Sequence, residues 1–260
     1  MSKGQLLLEI RGLDVTFDGF KANTDINLDV LEGELRFLIG PNGAGKTTLI
    51  DSITGLVKPS AGTVRFANRD LLARREFEIV RLGVGRTFQK ANVFEELTVI
   101  ENLDLAASFR LGLRKLFRRR KGVMPKVLEA LDTVGLSEFG ERPAGVLSHG
   151  QKQWLEIGML LVQDHQLLLL DEPVAGMSKT ERTRTGELLQ RIAQTRTLIV
   201  IEHDMDFVRR FSSKVTVLCE GKILCEGSIE EVAADPTVQE VYLGRAHDRK
   251  AQEDAPVGSS

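Results

Sequence analysis

Hydrophobic and polar positions alternate in short stretches along the first part of the chain. Across residues 6–40, the stretches LLLEIRGLDVTF, INLDV and ELRFLIG are separated by Gly, Asp and Asn, a pattern typical of strands. A glycine-rich turn follows, then the helically spaced stretch TTLIDSITGL, and GTVRFAN indicates a further strand. This part is therefore predicted to be mainly β-structure, with a helix after the glycine-rich turn.

The pattern changes between about residues 90 and 163, where helical spacing replaces the strand pattern. The stretches are VIENLDLAASFRLG, PKVLEALDTVG and GQKQWLEIGMLLVQ. In the last of them, Trp154, Ile157, Gly158 and Leu161 follow the i, i+3, i+4, i+7 spacing of a buried helix face. We therefore predict an all-helical insertion in an α/β unit.

Strand signals return at residue 166. LLLLDE and TLIVIE are continuous apolar runs, as expected in a parallel sheet that is covered on both faces. The segment between them, about residues 179–194, is predicted to be a helix, because Ser178 and Glu181 form a capping-box pattern at its start. Strand, helix and strand at this spacing predict a βαβ unit.

Composition narrows the class of protein. The chain has 260 residues, is 42% hydrophobic and has a formal net charge of −2, unlike a dedicated nucleic-acid binder. It has no apolar run of the roughly 20 residues that a spanning helix needs, and no signal-peptide core, so we expect a soluble protein. Any membrane spans would come from other chains.

The chain also has one basic segment and two cysteines. The basic run at residues 110–121 is interpreted as a solvated surface segment, the alternative being contact with anionic lipid or a partner. The cysteines lie in VTVLCEGKILCEG, which indicates a hairpin with a turn at Glu220 and Gly221. Regular register would pair Cys219 with Lys222 and Cys225 with Thr216, placing the two sulfurs on opposite faces. We therefore predict two buried thiols and no disulfide, as suits a reducing cytoplasm.

The sequence GPNGAGKTT at residues 40–48 fits the pattern G-x-x-x-x-G-K-[ST] between a predicted strand and a predicted helix. Glycines let backbone N–H groups approach phosphate oxygens, and the helix presents its positive dipole end to the same anion. Lys46 is predicted to reach the β- and γ-phosphates, and Thr47 to offer its hydroxyl to Mg²⁺. The pattern therefore predicts binding of ATP with magnesium.

Acidic residues and a histidine follow two predicted buried strands. Asp171 and Glu172 end LLLLDE, and His203 directly follows TLIVIE. Ligands bind at the carboxyl ends of strands in open α/β sheets. We expect Asp171 to hold magnesium, Glu172 to take a proton from the attacking water, and His203 to donate to the γ-phosphate.

The motif LSHGQ at residues 147–151 stands just ahead of LLLLDEP, and the set of motifs in this order resembles the ABC transporter ATPases. The resemblance covers residues 6–245. Gln89, in GRTFQKANVF, falls at the Q-loop glutamine of that family, and Phe17, in VTFDGF, falls at the aromatic residue that stacks on adenine.

This resemblance implies an α/β fold: a P-loop NTPase of ABC type with an antiparallel β subdomain and an inserted all-helical subdomain at about residues 90–163. The tail at 246–260 is expected to be disordered. The expected catalytic residues are Glu172, His203, Gln89 and Lys46. The expected nucleotide-binding residues are Phe17, Gly40, Pro41, Asn42, Gly43, Ala44, Gly45, Lys46, Thr47, Thr48, Gln89, Ser148, Gly150 and Gln151. The expected metal-binding residues are Thr47, Gln89 and Asp171.

The resemblance also implies partners. Two such domains would face head to tail, with ATP between the P-loop of one and LSHGQ of the other. Ser148 and Gly150 precede an amphipathic helix whose N–H groups suit a γ-phosphate. Two membrane permeases, an extracytoplasmic solute-binding protein and no nucleic acid are expected, with this chain peripheral at the cytoplasmic face of the inner (plasma) membrane.

Longer strings narrow the resemblance to importer ATPases of the branched-chain amino acid type. LSHGQKQWLEIGMLL looks most like the urea-transport ATPase subunit, which implies that the second ATPase subunit is a non-identical paralogue. Two positions depart from the family pattern. His149 stands where glycine is usual, and Ser178 stands near the usual aspartate. Serine caps a helix but carries no charge, so Ser178 is not placed among the catalytic residues.

Three alternatives remain at this stage. The solute could be a branched-chain amino acid in place of urea. A non-transport ABC ATPase acting in translation or DNA maintenance usually has tandem nucleotide domains or a coiled-coil insertion, and this chain has neither pattern. A regulatory ATP-binding module without hydrolysis is disfavoured by Glu172 and His203.

Overall fold

The computed structural model describes residues 4–87, 92–108 and 122–240. In these residues the smaller of two sheets is antiparallel and has the strand order β2-β1-β4-β5. Its strands are β1 (Leu6–Phe17), β2 (Phe20–Leu31), β4 (Ala61–Phe66) and β5 (Arg69–Asp70). The strands predicted at LLLEIRGLDVTF, INLDV and GTVRFAN are thus confirmed in this sheet, whereas ELRFLIG forms a strand of the larger sheet.

The larger sheet has the order β10-β9-β3-β8-β7-β6, and it is parallel from β9 to β6. Its strands are β3 (Leu35–Ile39), β6 (Val84–Arg86), β7 (Leu167–Asp171), β8 (Thr197–Ile201), β9 (Lys214–Cys219) and β10 (Lys222–Gly227). Every residue of β3, β7 and β8 is buried, which confirms the interpretation of the continuous apolar runs. The strand pattern did not predict β6 or β5, because both are too short to show a period.

The described helices are α1 (Lys46–Thr54), α2 (Glu76–Leu82), α3 (Val99–Ser108), α4 (Pro125–Thr133), α5 (His149–Leu161), α6 (Lys179–Ala193), α7 (Met205–Phe211) and α8 (Ile229–Ala234). Helices α3, α4 and α5 pack against one another and confirm the helical insertion in the part that is described. Within the same ranges, no helix has both the length and the apolar content needed to span a bilayer.

The two faces of the larger sheet bury different partners. Phe37 and Ile39 of β3 belong to the core that contains α5 and its Trp154, whereas Leu38 belongs to the core formed with β1, β2 and α1. Alternation along one strand thus joins both layers to the same sheet. The strand β3 therefore lies at the centre of the molecule, and the loop that follows it starts from a rigid position.

A fully buried arginine connects the two sheets. Arg36 of β3 is 0% exposed and pairs with Glu34 and Glu226, and its Nη1 donates to Thr216 Oγ1 at 3.0 Å. Its Nη2 donates to the backbone oxygen of Asp29 in β2 at 2.7 Å. Each arm of the guanidinium therefore has a partner, as a buried charge requires.

Replacement of Arg36 by alanine is expected to lower the free energy of unfolding by about 3–5 kcal/mol, because it leaves carboxylates without their buried partner. Arg11→Ala is the matched control, since Arg11 pairs with Asp29 at an exposed position and its loss should cost less than about 1 kcal/mol. Urea unfolding of both variants measures the difference. Equal, small losses would contradict a structural role for the buried network.

The cysteine hairpin differs from the prediction in its register. Cys219 does pair with Lys222, but an irregularity between Ile223 and Cys225 shifts Cys225 opposite Val217 instead of Thr216. The parity argument for opposite faces is therefore wrong, because a bulge changes which residues share a face. Neither cysteine is in a disulfide, as predicted, but both side chains are half-buried instead of buried.

Three predicted features lie outside the described residues. They are Gln89, the basic run at residues 110–121 and the polar tail after residue 244.

Candidate functional site

Four neighbouring parallel strands end at one edge of the larger sheet. In the order β3, β8, β7, β6, their carboxyl ends lead into Gly40, Glu202, Glu172 and Thr87. The sequence predicted three of these strand ends as site positions from their polar residues. Their adjacency is a consequence of the strand order, and it brings distant parts of the chain to one place.

The loop at residues 40–48 turns back on itself at the start of α1. Gly40, Gly43 and Gly45 all have positive φ, at 150°, 78° and 95°, and Gly45 is the N-cap of the helix. The Lys46 ammonium donates to the backbone oxygens of Gly40 and Pro41 at 2.8 and 3.0 Å. The loop residues expected from the sequence therefore form a continuous turn into α1, and the ammonium group of Lys46 is hydrogen-bonded to the start of that turn.

Neighbouring elements hold this loop in place. Asn23 of β2 donates from Nδ2 to the backbone oxygen of Gly45 at 3.2 Å. The backbone N–H of Gly221, in the β9–β10 turn, donates to the oxygen of Ala44 at 3.1 Å, and its own oxygen accepts from Thr24 of β2 at 2.8 Å. Both sheets therefore fix the loop, and the motif itself gave no signal of these contacts.

Asp171 is 4% exposed at the end of β7. Burial raises the pKa of its carboxyl group, and the guanidinium of Arg86, at 3.6 Å, opposes that rise. Arg86 also pairs with Asp51 of α1. The arginine thus links the strand that precedes Gln89, the helix of the phosphate loop and the predicted magnesium ligand.

Glu172 and His203 come together in the structure. The Nδ1 atom of His203 lies 3.4 Å from the Oε1 atom of Glu172, and both side chains reach solvent. Glu172 has a positive φ of 49° and donates its backbone N–H to Ile201 in β8 at 3.0 Å. The carboxylate that contacts His203 is therefore carried by a residue in an uncommon backbone conformation.

A second carboxylate, that of Glu202, is hydrogen-bonded to the backbone next to this pair. It is 1% exposed and accepts the backbone N–H groups of His203 at 3.2 Å and Val174 at 3.4 Å. Burial raises the pKa of Glu202, and these hydrogen bonds act against the rise. Glu202 thus connects the segments that carry Glu172 and His203.

Ser148 is the N-cap of α5 and forms a complete capping box with Gln151. Ser148 Oγ accepts from the Gln151 N–H at 3.2 Å, and the Gln151 Oε1 atom accepts from the Ser148 N–H at 2.9 Å. The predicted helix start is confirmed. However, no hydrogen bond described for Ser148, Gly150 or Gln151 reaches the loop at residues 40–48, so the structure does not bring these two parts of the predicted site together within one chain.

Phe17 ends β1 and is 45% exposed. Phe20, the first residue of β2, lies directly opposite it and is 68% exposed. Directly opposite residues of antiparallel strands share a face, so the tip of this hairpin presents two aromatic side chains on one side. Phe20 was not predicted as a site residue.

Comparison with known families decides the class of protein. The model for "ABC transporter" matches residues 23–175, which is more than half of the chain. The chain belongs to the ABC transporter family. A second model, "Branched-chain amino acid ATP-binding cassette transporter", matches residues 222–248. This ABC ATPase binds ATP with Mg²⁺ and hydrolyses ATP, as the cassettes of the family do.

Curated relatives and solved structures agree with this assignment. The ABC ATPase is 38% identical over 253 residues to the high-affinity branched-chain amino acid transport ATP-binding protein LivG of Salmonella typhimurium, covering 93% of this chain and 99% of the relative. It is 37% identical over 254 residues to BraF of Pseudomonas aeruginosa, covering 92% and 98%. It is therefore of the branched-chain amino acid importer type.

Two solved structures confirm the fold. One is the ADP conformation of an ATP-binding cassette of an ABC transporter, with a TM-score of 0.81 and 32% identity over 92% of this chain and 99% of that one. The other is cbiO1 of Clostridium perfringens, with a TM-score of 0.79 and 27% identity over 95% and 99%. The predicted ABC-type α/β fold, with its antiparallel and helical subdomains, is correct.

Sequence reasoning missed three residues of the ABC ATPase that contact predicted site residues, namely Arg86, Glu181 and Glu202, and it missed Asp51, which pairs with Arg86. Arg86 lies in the sequence GRTFQ, and Glu202 ends TLIVIE. Both lie in recognised stretches, but the sequence did not show which residues they contact. Glu181 was recognised only as a helix cap. Their contacts join distant parts of the chain: Arg86 and Asp51 are 35 positions apart, Ser148 and Glu181 are 33 apart, and Glu202 and Val174 are 28 apart.

Proposed function

We propose that this chain is the ATP-hydrolysing subunit of an importer, with residues 6–245 as its ATP-binding domain, about 90–163 as the helical subdomain and 246–260 as a tail. One observation carries the catalytic part of the proposal. The carboxylate of Glu172 and the ring of His203 lie 3.4 Å apart, at the ends of adjacent strands and next to the strand that leads into the phosphate loop. This arrangement suits attack of water on a γ-phosphate.

In the proposed mechanism, Glu172 takes the proton from the attacking water. His203 contacts Glu172 through Nδ1, and in the imidazolium form both ring nitrogens carry a proton, so that Nε2 would donate to the γ-phosphate. Lys46 exchanges its two backbone acceptors for phosphate oxygens and stabilises the charge that develops there. By resemblance, Gln89 completes the proposed catalytic set.

Thr47, Asp171 and Gln89 are proposed to hold Mg²⁺. The residues fit this ion, because Asp171 is a buried oxygen ligand at the mouth of the phosphate loop and Thr47 lies exposed at the start of α1. A buried carboxylate favours a nearby cation, and Arg86 at 3.6 Å and Lys46 both act in that direction on Asp171. When bound, the ion would neutralise charge on the phosphates.

The arrangement of Ser148 supports a second subunit. Its hydroxyl and the N–H groups of the first turn of α5 suit a phosphate, but their contacts lie away from the loop of the same chain. We propose a head-to-tail dimer with a second ATPase subunit, a non-identical paralogue, in which Ser148, Gly150 and Gln151 contact ATP held by the partner. Two membrane permeases at the cytoplasmic face of the inner membrane and a solute-binding protein complete the assembly.

Urea is proposed as the solute, from the resemblance of LSHGQKQWLEIGMLL to the urea-transport subunit. The relatives LivG and BraF are named for branched-chain amino acids, and this favours the alternative solute class. The ATPase subunit does not contact the solute in either case. Calorimetric titration of the cognate binding protein with urea and with leucine decides between them, and binding of leucine alone would remove urea.

The transport function itself is tested by purification from membranes. A tagged chain is expected to bring down integral-membrane permeases and to release phosphate from MgATP. Recovery with ribosomes or DNA would favour a non-transport ABC ATPase and overturn the importer proposal. ATP binding without any phosphate release would favour a regulatory module.

Phe17→Ala is expected to weaken ATP binding about fivefold or more, because it removes a stacking surface for adenine. Phe77→Ala is the matched control, since Phe77 on α2 is equally exposed, at 44% against 45% for Phe17, but lies on a different element. Equilibrium binding of a fluorescent ATP analogue measures both. Equal affinities for the two variants would remove Phe17 from the nucleotide site.

A further inference from the structure

A carboxylate of the same chain is in contact with the serine that is proposed to bind the partner's ATP. Glu181, the third residue of α6, accepts a hydrogen bond from Ser148 Oγ through Oε1 at 3.2 Å. Its Oε2 atom accepts from the backbone N–H of Ser178 at 3.0 Å and from the Ser178 hydroxyl at 2.7 Å. Both oxygens are thus fixed, and one of them is fixed on the start of α5.

The position of Gly150 shows how closely this carboxylate approaches the helix. A Cβ atom built on Gly150 would lie 2.7 Å from Glu181 Oε1 and 3.0 Å from its Cδ. Glu181 can occupy this position because Gly150 has no side chain with which its carboxylate would clash. The helix start that is proposed to face a phosphate has an anion beside it already.

The loop after Glu172 is attached to the same helix start by a second contact. The Nε2 atom of His149 lies 3.2 Å from the backbone oxygen of Ala175, and the ring lies against Gly176. The backbone N–H of Ala175 in turn donates to the backbone oxygen of Glu172 at 3.1 Å. His149 and Glu181 together bind the segment from Glu172 to α6 onto α5, so Glu181 cannot swing away without disturbing this segment.

A serine hydroxyl has one proton to donate. In this conformation the Ser148 proton goes to Glu181, and binding of a phosphate would require it to turn to the phosphate instead. The phosphate would also lie within a few ångströms of a carboxylate whose pKa is lowered by its hydrogen bonds from Ser178 and Ser148. Closure on ATP must therefore overcome both the lost hydrogen bond and a like-charge repulsion.

We propose that Glu181 is a built-in brake on ATP-driven closure, which holds the Ser148 hydroxyl in the open subunit and lowers the affinity of the closed dimer for ATP. It is a positioning residue, since it acts through Ser148. The proposal rests on the proposed function, in which Ser148 contacts the ATP of the partner. It also gives the uncharged Ser178 a role, because Ser178 fixes the carboxylate through two hydrogen bonds.

Glu181→Gln tests the brake in the assembly in which the chain is purified. The amide oxygen keeps the cap at Ser178, and the amide N–H₂ donates to Ser148 Oγ, so the hydroxyl proton is available to the phosphate and the charge is removed. The KM for MgATP is expected to fall about tenfold, with a smaller change in kcat. The difference from wild type should shrink at high salt, because a charge repulsion is screened.

Glu231→Gln is the matched control. Glu231 forms the same capping box at α8, where it accepts the Ser228 N–H at 2.7 Å, and none of the hydrogen bonds described for it reaches α5. A purely structural role of Glu181 predicts that both variants lower the melting temperature slightly and leave KM unchanged, and this result would overturn the brake. A higher KM for Glu181→Gln would overturn it as well.

Ser148→Ala separates failure of the brake from failure of the proposed function. A raised KM in this variant, together with an unchanged KM in Glu181→Gln, would support the proposed contact of Ser148 with ATP and contradict the proposed role of Glu181. An unchanged KM in Ser148→Ala would overturn both, since Ser148 then does not contact ATP. Wild-type chain that releases no phosphate from MgATP would also overturn both.

Discussion

Replacement of Glu172 by glutamine is expected to slow ATP hydrolysis by about 10²–10⁴-fold, the usual contribution of a general base. Glutamine has the size of glutamate but cannot accept the proton of the attacking water. The uncommon φ of 49° and the backbone hydrogen bond to Ile201 do not involve the side chain, so its direction should be preserved. The contact of Glu172 with His203 becomes a neutral hydrogen bond.

Phosphate release under saturating MgATP measures the loss, and equilibrium nucleotide binding is expected to be unchanged. Glu187→Gln, at an exposed position on α6, makes the same chemical change away from the site and should keep full turnover. Near-normal turnover by Glu172→Gln would rule out Glu172 as the base and would make Glu202, the carboxylate at the end of the adjacent strand β8, the next candidate.

Gly40→Ala is expected to lower the free energy of unfolding by about 4 kcal/mol or more, which is the range of severe steric mutations. A Cβ atom on Gly40 would lie 2.1 Å from the backbone oxygen of Leu218 in β9, and φ at Gly40 is 150°. Moving either the added Cβ atom or the Leu218 oxygen would cost free energy, because β3 and β9 are hydrogen-bonded to each other in the larger sheet.

Gly43→Ala is the control within the same loop. Gly43 has a φ of 78° but open space where its Cβ would stand, so only the backbone cost of about 1–2 kcal/mol is expected. Thermal unfolding of the two variants without nucleotide separates the effects, and the melting temperature of Gly40→Ala should be lower by several degrees. Similar melting temperatures would show that the strand ends adjust to a side chain at Gly40.

The helical insertion and the βαβ unit show why much of the fold was predictable. Periods of 2 and 3.6 residues arise when one side of an element is buried, and they persist in the sequence over helices such as α5. The strands β5 and β6 escaped because two or three residues contain no period. The bulge in β10 escaped for a related reason, since one inserted residue shifts the register without changing the apolar pattern.

The catalytic set divides in the same way. The sequence was sufficient to propose the phosphate loop, Asp171, Glu172 and His203, because the proposed chemistry requires particular residue types at the ends of strands. Asn23, Gly221 and Arg86 were not, since an asparagine, a turn glycine and an arginine have many common roles. Their roles are shown only by their contacts in the structure, which are with Gly45, Ala44 and Asp171 respectively.

The sequence by itself determined the fold class, the ATP chemistry and the start of α5 at Ser148, because each depends on local order along the chain. The tertiary structure decided that Glu172 meets His203, that Arg86 joins Asp171 to α1, and that the carboxylate of Glu181 reaches Ser148. These contacts join residues that are tens of positions apart, and strand order and helix packing alone bring them within hydrogen-bond distance.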